Sequence, residues 1–251
     1  MNVTKRWWAV TAGFLAVLVC ATWAQAAILI DQSYASQLPS QQGWTYQGGG
    51  SAPNESDRMS ISGGALTYNT IGDPWQTYGC YRIDSPGSGW GQDFTMSIRL
   101  KVTQSEQTWP YPWTGLLNPF GCYFDVGNGS ELMGWGVATN YVASETSQGT
   151  YQQESLGGPM DNATDFHTYR VDGTFGAGGG WSMYRDDVLL GSGPWGADSR
   201  SSVLFGDGST GANAAAQISD FSLFSPIPEP ATLSLLALGG LVTLVRRRRR
   251  K

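Results

Sequence analysis

Few groups in this chain are suited to catalysis. It holds one histidine, His167, three cysteines and twenty carboxylates. Nucleophilic catalysis through histidine takes a base, a group that orients it and a nucleophile beside it. No G-x-S-x-G segment accompanies His167, and Phe166-His167-Thr168-Tyr169-Arg170-Val171 reads as a packing strand with His167 on its inward face. No catalytic role is assigned to it. Neither an H-E-x-x-H run nor paired-cysteine spacing points to zinc. Glycoside hydrolysis takes two carboxyl groups about 5–10 Å apart across the bond. Residues two apart on a strand share a face, as the first two carboxylates of an E-x-D-x-x-E run would. The sequence has no such run. Its nearest pairs, Glu55/Asp57, Asp161/Asp165 and Asp186/Asp187, stand in loop-like contexts. Two converging loops would still make a hydrolase or lyase, which stays as the alternative to a non-enzymatic protein.

Binding chemistry is better represented. Trp109-Pro110-Tyr111-Pro112-Trp113 spaces three rings with prolines that bar regular helix and central strand. Trp109, Tyr111 and Trp113 either stack on the apolar face of a sugar or cover the core from outside. Trp75 after Pro74, and Trp195 after Pro194, stand in similar turns. Ca²⁺ wants several oxygen ligands. Asp207, in Gly206-Asp207-Gly208-Ser209, and Asp31 are the candidates, with solvated turn aspartates as the other reading. No EF-hand loop is present and no other cofactor is expected.

The elements that must carry these residues are strands. No helix-period stretch appears between Ala27 and Ser225. Phe94 to Val102 alternates, with Phe94, Met96, Ile98, Leu100 and Val102 on one face and Thr95, Ser97, Arg99 and Lys101 on the other. That is a half-buried antiparallel strand. Further strands are expected at 65–70, 79–83, 121–126, 132–138, 166–171, 181–185, 188–190, 202–205 and 217–224. Gly127-Asn128-Gly129 and Asp186-Asp187 serve as hairpin turns. Many short strands at such spacing predict an all-β, antiparallel β-sandwich or barrel.

The two ends differ from this body. Lys5 and Arg6, an apolar run from Trp7 to Ala24, and Ala24-Gln25-Ala26 make a signal peptide over residues 1–26, cut by signal peptidase after Ala26. At the other end, residues 226–251 hold Pro228-Glu229-Pro230, an apolar run from Leu233 to Val245, and Arg246, Arg247, Arg248, Arg249 and Arg250 before Lys251. The prolines keep the first part extended. The apolar run is shorter than the roughly 20 residues of a full span, and the arginines prefer the cytoplasmic side.

Between them lies one domain, residues 27–225, with seven basic and nineteen acidic residues, a net charge of −12. Such a charge disfavours nucleic acid and anionic lipid. Cys20 leaves with the signal. Cys80 and Cys122 remain, and export permits either a disulfide closing a loop of about 40 residues or two buried thiols.

The order Pro228-Glu229-Pro230, apolar run, arginine cluster resembles the PEP-CTERM sorting signal of Gram-negative bacteria. The resemblance implies an exosortase as partner and an inner-membrane intermediate. Release or attachment at the cell surface follows, often alongside extracellular polysaccharide. The later strands resemble concanavalin A-like and laminin-G-like jelly rolls. The match runs through Phe166-His167-Thr168-Tyr169-Arg170-Val171, the hairpin from Trp181 to Leu189, Val203-Leu204-Phe205-Gly206-Asp207-Gly208 and Ile218-Ser219-Asp220-Phe221-Ser222-Leu223. Asp187 stands where that hairpin usually has glycine. The expectation is an exported surface or matrix protein, non-enzymatic, with glycans as the ligand class.

Overall fold

The computed structural model describes residues 27–50, 53–74, 78–84, 93–107, 122–146, 152–157, 159–208 and 212–225. They form sixteen strands and two short 3-10 turns, Pro39–Gln42 and Glu55–Asp57. In chain order the strands are β1 (Ala27–Ser33), β2 (Thr45–Gly49), β3 (Met59–Ser62), β4 (Ala65–Asn69), β5 (Tyr78–Asp84), β6 (Asp93–Gln107), β7 (Cys122–Gly127) and β8 (Glu131–Val137). There follow β9 (Val142–Thr146), β10 (Gln152–Gly157), β11 (His167–Thr174), β12 (Gly180–Arg185), β13 (Val188–Gly193), β14 (Gly196–Ala197), β15 (Ser202–Asp207) and β16 (Ala212–Ser225).

Two antiparallel eight-stranded sheets result. The first runs β13-β12-β11-β6-β16-β4-β3, with β1 on β16; the second runs β10-β9-β8-β7-β15-β5-β2, with β14 on β8. The alternation read from Phe94 to Val102 is realised in β6, whose five apolar residues are all buried. They face Phe124, Val126, Trp135, Val203 and Phe205 of the second sheet across one continuous core. Phe205 sits at an aromatic centre, stacked on Phe221 at 5.3 Å and on Tyr34 at 5.6 Å, with the Trp44 ring edge-on at 4.6 Å. Such ring pairs add to the hydrophobic gain of burying large side chains.

The last strand is internal. β16 lies between β6 and β4, and its register shifts at Ala215/Ala216 and again at Ile218/Asp220. The second bulge lets Ile218 and Phe221, three apart, both point inward.

Several details differ from expectation. β2, β3, β9, β10 and β14 are additional to the strands expected; they are short or rich in small and polar residues, so alternation is weak in them. The β7–β8 turn is Asn128–Glu131 rather than Gly127–Gly129. Gly127 still pairs with Leu132, and Asn128 Oδ1 accepts from the backbone of Ser130 and Glu131, both at 2.9 Å.

A Cys80–Cys122 disulfide is not formed; both are free and buried. Cys80 is on β5 and Cys122 on β7, with β15 between them. Two strand spacings put their Cα atoms roughly 9–10 Å apart, beyond the ~7 Å limit for a bridge. They also face opposite ways, since Cys122 shares Phe124's face and Cys80 shares a cross-strand row with Gly206 and Tyr123.

Candidate functional site

A polar cleft of about 450 Å³ opens beside the edge strand β3. It is lined by residues 56–60 together with Asn69, Ile71 and Asp73. Three pieces of chain build it. The Glu55–Asp57 turn is closed by Asn54, whose N–H donates to Asp57 Oδ2 at 2.9 Å. β3 carries Met59 inward, leaving Ser60 exposed. The turn after β4 is drawn in where Asp73 N–H donates to Thr70 O at 3.1 Å and Asn69 Oδ1 accepts from Ile71 N at 2.9 Å.

Arg58 ties these pieces together. Its Nε donates to Asp73 Oδ2 at 2.6 Å and its Nη2 to Asp73 Oδ1 at 2.5 Å, while Nη1 donates to Asp57 O at 2.8 Å. The two-pronged contact raises the guanidinium pKa further, chiefly through the Asp73 hydrogen bond. Behind the turn, Glu106 Oε1 accepts from Gly72 N and, at 3.0 Å, from Asn213 Nδ2. The cleft is thus a stiff, polar surface with side-chain hydroxyls and an amide facing outward.

A second cluster lies on the face of the second sheet turned away from the core. Asp125 on β7 is 1% exposed, though it alternates with the inward residues Phe124 and Val126. Arg200 Nη1 stands 3.5 Å from its Oδ2, and Oδ1 has no hydrogen-bond partner among the described residues. Burial pushes its carboxyl pKa up to about 7 against the pull of Arg200, Arg82 and a hydrogen bond from Tyr123. A Cβ on the paired residue Gly134 would collide with the Tyr123 ring, so glycine there makes room for the phenol. Backbone register continues the row from Asp125 through Gly134 to Glu145.

The candidates from sequence fall elsewhere. Trp75, Trp109, Tyr111 and Trp113 lie outside the described residues, as do Pro228, Glu229, Pro230 and Arg246 to Arg250. Asp207 is no solvated turn residue. It is 1% exposed and accepts from Thr70 Oγ1 at 2.5 Å. Asp31 is exposed on β1. Among the described residues no group of three or more His, Cys, Asp or Glu side chains could hold a metal ion. No helix among them is long and apolar enough to cross a membrane.

His167 is partly exposed at the rim, with Nδ1 2.7 Å from Asp186 Oδ2. Asp186 also accepts from Thr168 N at 3.0 Å, so the pair anchors the β12–β13 turn. Of the loop carboxylate pairs, Glu55 accepts from Tyr81 Oη at 2.6 Å and Ser40 Oγ at 2.7 Å, and Asp161 accepts from Ala163 N at 2.8 Å. Both hold local structure.

Sequence reasoning missed the cleft and Asp125. Each had a signal. Glu55, Asp57 and Arg58 crowd three charges into four residues of a charge-poor body, and Asp125 is a lone carboxylate inside the apolar run Phe124 to Val126. A charge inside a strand that buries its neighbours is costly, which makes it informative.

Residues 226–250 match the PEP-CTERM protein-sorting motif. No curated protein matches the sequence. Among solved structures, the chain is similar to a carbohydrate esterase of the Shiga toxin-encoding bacteriophage phi24B, at 14% identity and a TM-score of 0.53, covering 80% of this chain and 99% of that one. A β-1,3-1,4-glucanase (lichenase) from a mouse hindgut metagenome has 13% identity and a TM-score of 0.49, covering 79% and 99%. A Bacillus licheniformis β-glucanase has 13% identity and a TM-score of 0.47, covering 78% and 97%. At such identities the likeness is one of fold. The chain therefore joins an antiparallel β-sandwich of two eight-stranded sheets to a PEP-CTERM sorting motif at 226–250, the mark of an exported, sorted protein.

Proposed function

We propose that this is a cell-surface or matrix protein, delivered by its sorting motif, whose sandwich binds glycans without cleaving them. In this reading signal peptidase and an exosortase process the two ends, and the protein passes through an inner-membrane intermediate. The observation that carries the binding half is the cleft at 56–73. Its size suits a sugar unit or two, and its hydroxyl, amide and carboxylate lining suits their hydroxyls. No resident cofactor enters this reading.

Asp125 favours a second reading, a polysaccharide-active hydrolase or lyase. A carboxyl group holding its proton near neutrality is what an acid catalyst needs. A glycan array combined with a reducing-sugar assay separates the two. Retention on the array without product supports binding. Product that disappears in Asp125→Asn supports the enzyme. Neither retention nor product overturns both and leaves a purely structural matrix role.

A further inference from the structure

We infer that the cleft between Arg58, Asn69 and Asp73 takes a neutral, hydroxyl-rich glycan unit and turns away uronate and sulfated ones. The inference rests on the glycan-binding reading above and adds the ligand class.

The cleft has no uncommitted cation to offer an anion. Its lining cation, Arg58, gives two prongs to Asp73 and a third N–H to Asp57 O. Binding a carboxylate or sulfate there would mean taking the guanidinium from Asp73, whose side chain is only 12% exposed. Leaving that carboxylate unpaired is costly.

Negative charge surrounds the space instead. Asp57 and Asp73 line it, and Glu106 holds the Gly72 backbone just behind. Ionised carboxylates only accept hydrogen bonds, so a partner must bring donors. Sugar hydroxyls do; a uronate or sulfate group does not.

The groups left uncommitted match a sugar. Asn69 Oδ1 is taken by Ile71 N at 2.9 Å, and its Nδ2, with no partner among the described residues, is left to donate. The Ser56 and Ser60 hydroxyls, both on exposed residues, can donate and accept as sugar hydroxyls do. A cation is disfavoured in the same place, because the Arg58 guanidinium already bridges Asp57 O and the Asp73 carboxylate.

The test uses the full chain in detergent against two oligosaccharide panels. One is neutral (gluco-, manno-, galacto- and xylo-tetraoses) and the other anionic (tetragalacturonate and a sulfated galactan fragment). The expected result is binding confined to the neutral panel, weakened roughly tenfold or more in Asn69→Ala and in Ser60→Ala. Both substitutions sit on exposed residues, and thermal melting confirms that each variant is folded. Anionic binding equal to neutral binding overturns the inference. So does neutral binding that both variants leave unchanged; glycan binding then stands, but at another site. Binding to neither panel defeats the glycan reading itself.

Discussion

Arg200 reaches Asp125 across the outward face of the second sheet, Nη1 to Oδ2 at 3.5 Å, yet the carboxyl pKa is still pushed up to about 7. Burial outweighs the ion pair. Asp125 is 1% exposed and one of its oxygens has no partner among the described residues, whereas the Arg200 side chain is 38% exposed and shared with Asp198. A long contact to a partly solvated cation does not offset the desolvation of a buried carboxylate.

This fixes the sign of a pH effect. Between the ordinary carboxylate value of 3.8 and about 7, the folded chain holds a proton on Asp125 that the unfolded chain has lost. Its contribution therefore favours the native state at low pH and is lost as pH rises through about 7. Urea unfolding at about pH 5 and about pH 8 should show Asp125→Asn gaining stability relative to the parent at the higher pH, by about 1–3 kcal/mol. A parent and variant that shift in parallel between the two conditions would contradict this.

Asn162 is buried and uses its whole side chain. Nδ2 donates to Ala138 O at 2.8 Å and Tyr141 O at 3.2 Å, while Oδ1 accepts from Tyr169 Oη at 2.7 Å. It pins the β8–β9 turn to β11. Asn162→Ala removes all three of these bonds from a buried site, though Tyr141 O keeps the N–H of Ala138 at 3.0 Å, and should cost about 2–3 kcal/mol. The melting midpoint should fall by roughly 5–10 °C. A shift under a degree would show that solvent reaches these groups.

The two-residue turn Asp186-Asp187 has φ of +49° and +64°, the left-handed conformation of a type I′ hairpin. Asp186 is compensated by His167 and Thr168 N. Asp187 has only a 3.4 Å contact from Arg170 and an 89% exposed side chain. Asp187→Gly should therefore stabilise the protein by about 0.5–1 kcal/mol, and Asp186→Gly should destabilise it. Chemical denaturation of the two variants checks the pair; equal effects would refute the asymmetry.

Cys80 and Cys122 have thiol pKa values pushed up to about 12, in both cases chiefly by burial. Thiolate is the reactive form. Both should stay unlabelled by a thiol-specific reagent at about pH 8 in the native protein and become labelled in denaturant. Mass analysis showing an intact Cys80–Cys122 bridge before denaturation would overturn the pairing pattern that separates them.

Much was legible in one dimension because it depends on local chemistry. Alternation from Phe94 to Val102 needs no partner to mark a half-buried strand, and the carboxyl-terminal order of prolines, apolar run and arginines carries its meaning in sequence. What tertiary structure decided is what depends on which strands become neighbours. β15, distant in sequence from both, inserts between β5 and β7, and that insertion rather than loop length keeps the two cysteines apart. Likewise, Asp125 differs from the other aspartates in being walled in by Arg82, Tyr123 and Arg200 from β5, β7 and the segment before β15. The cleft exists because Arg58 and Asp73, fifteen residues apart, close on each other around β3 and β4. Long-range pairing sets burial, and burial sets what a polar group costs or offers; a linear pattern carries the residue types but not their surroundings.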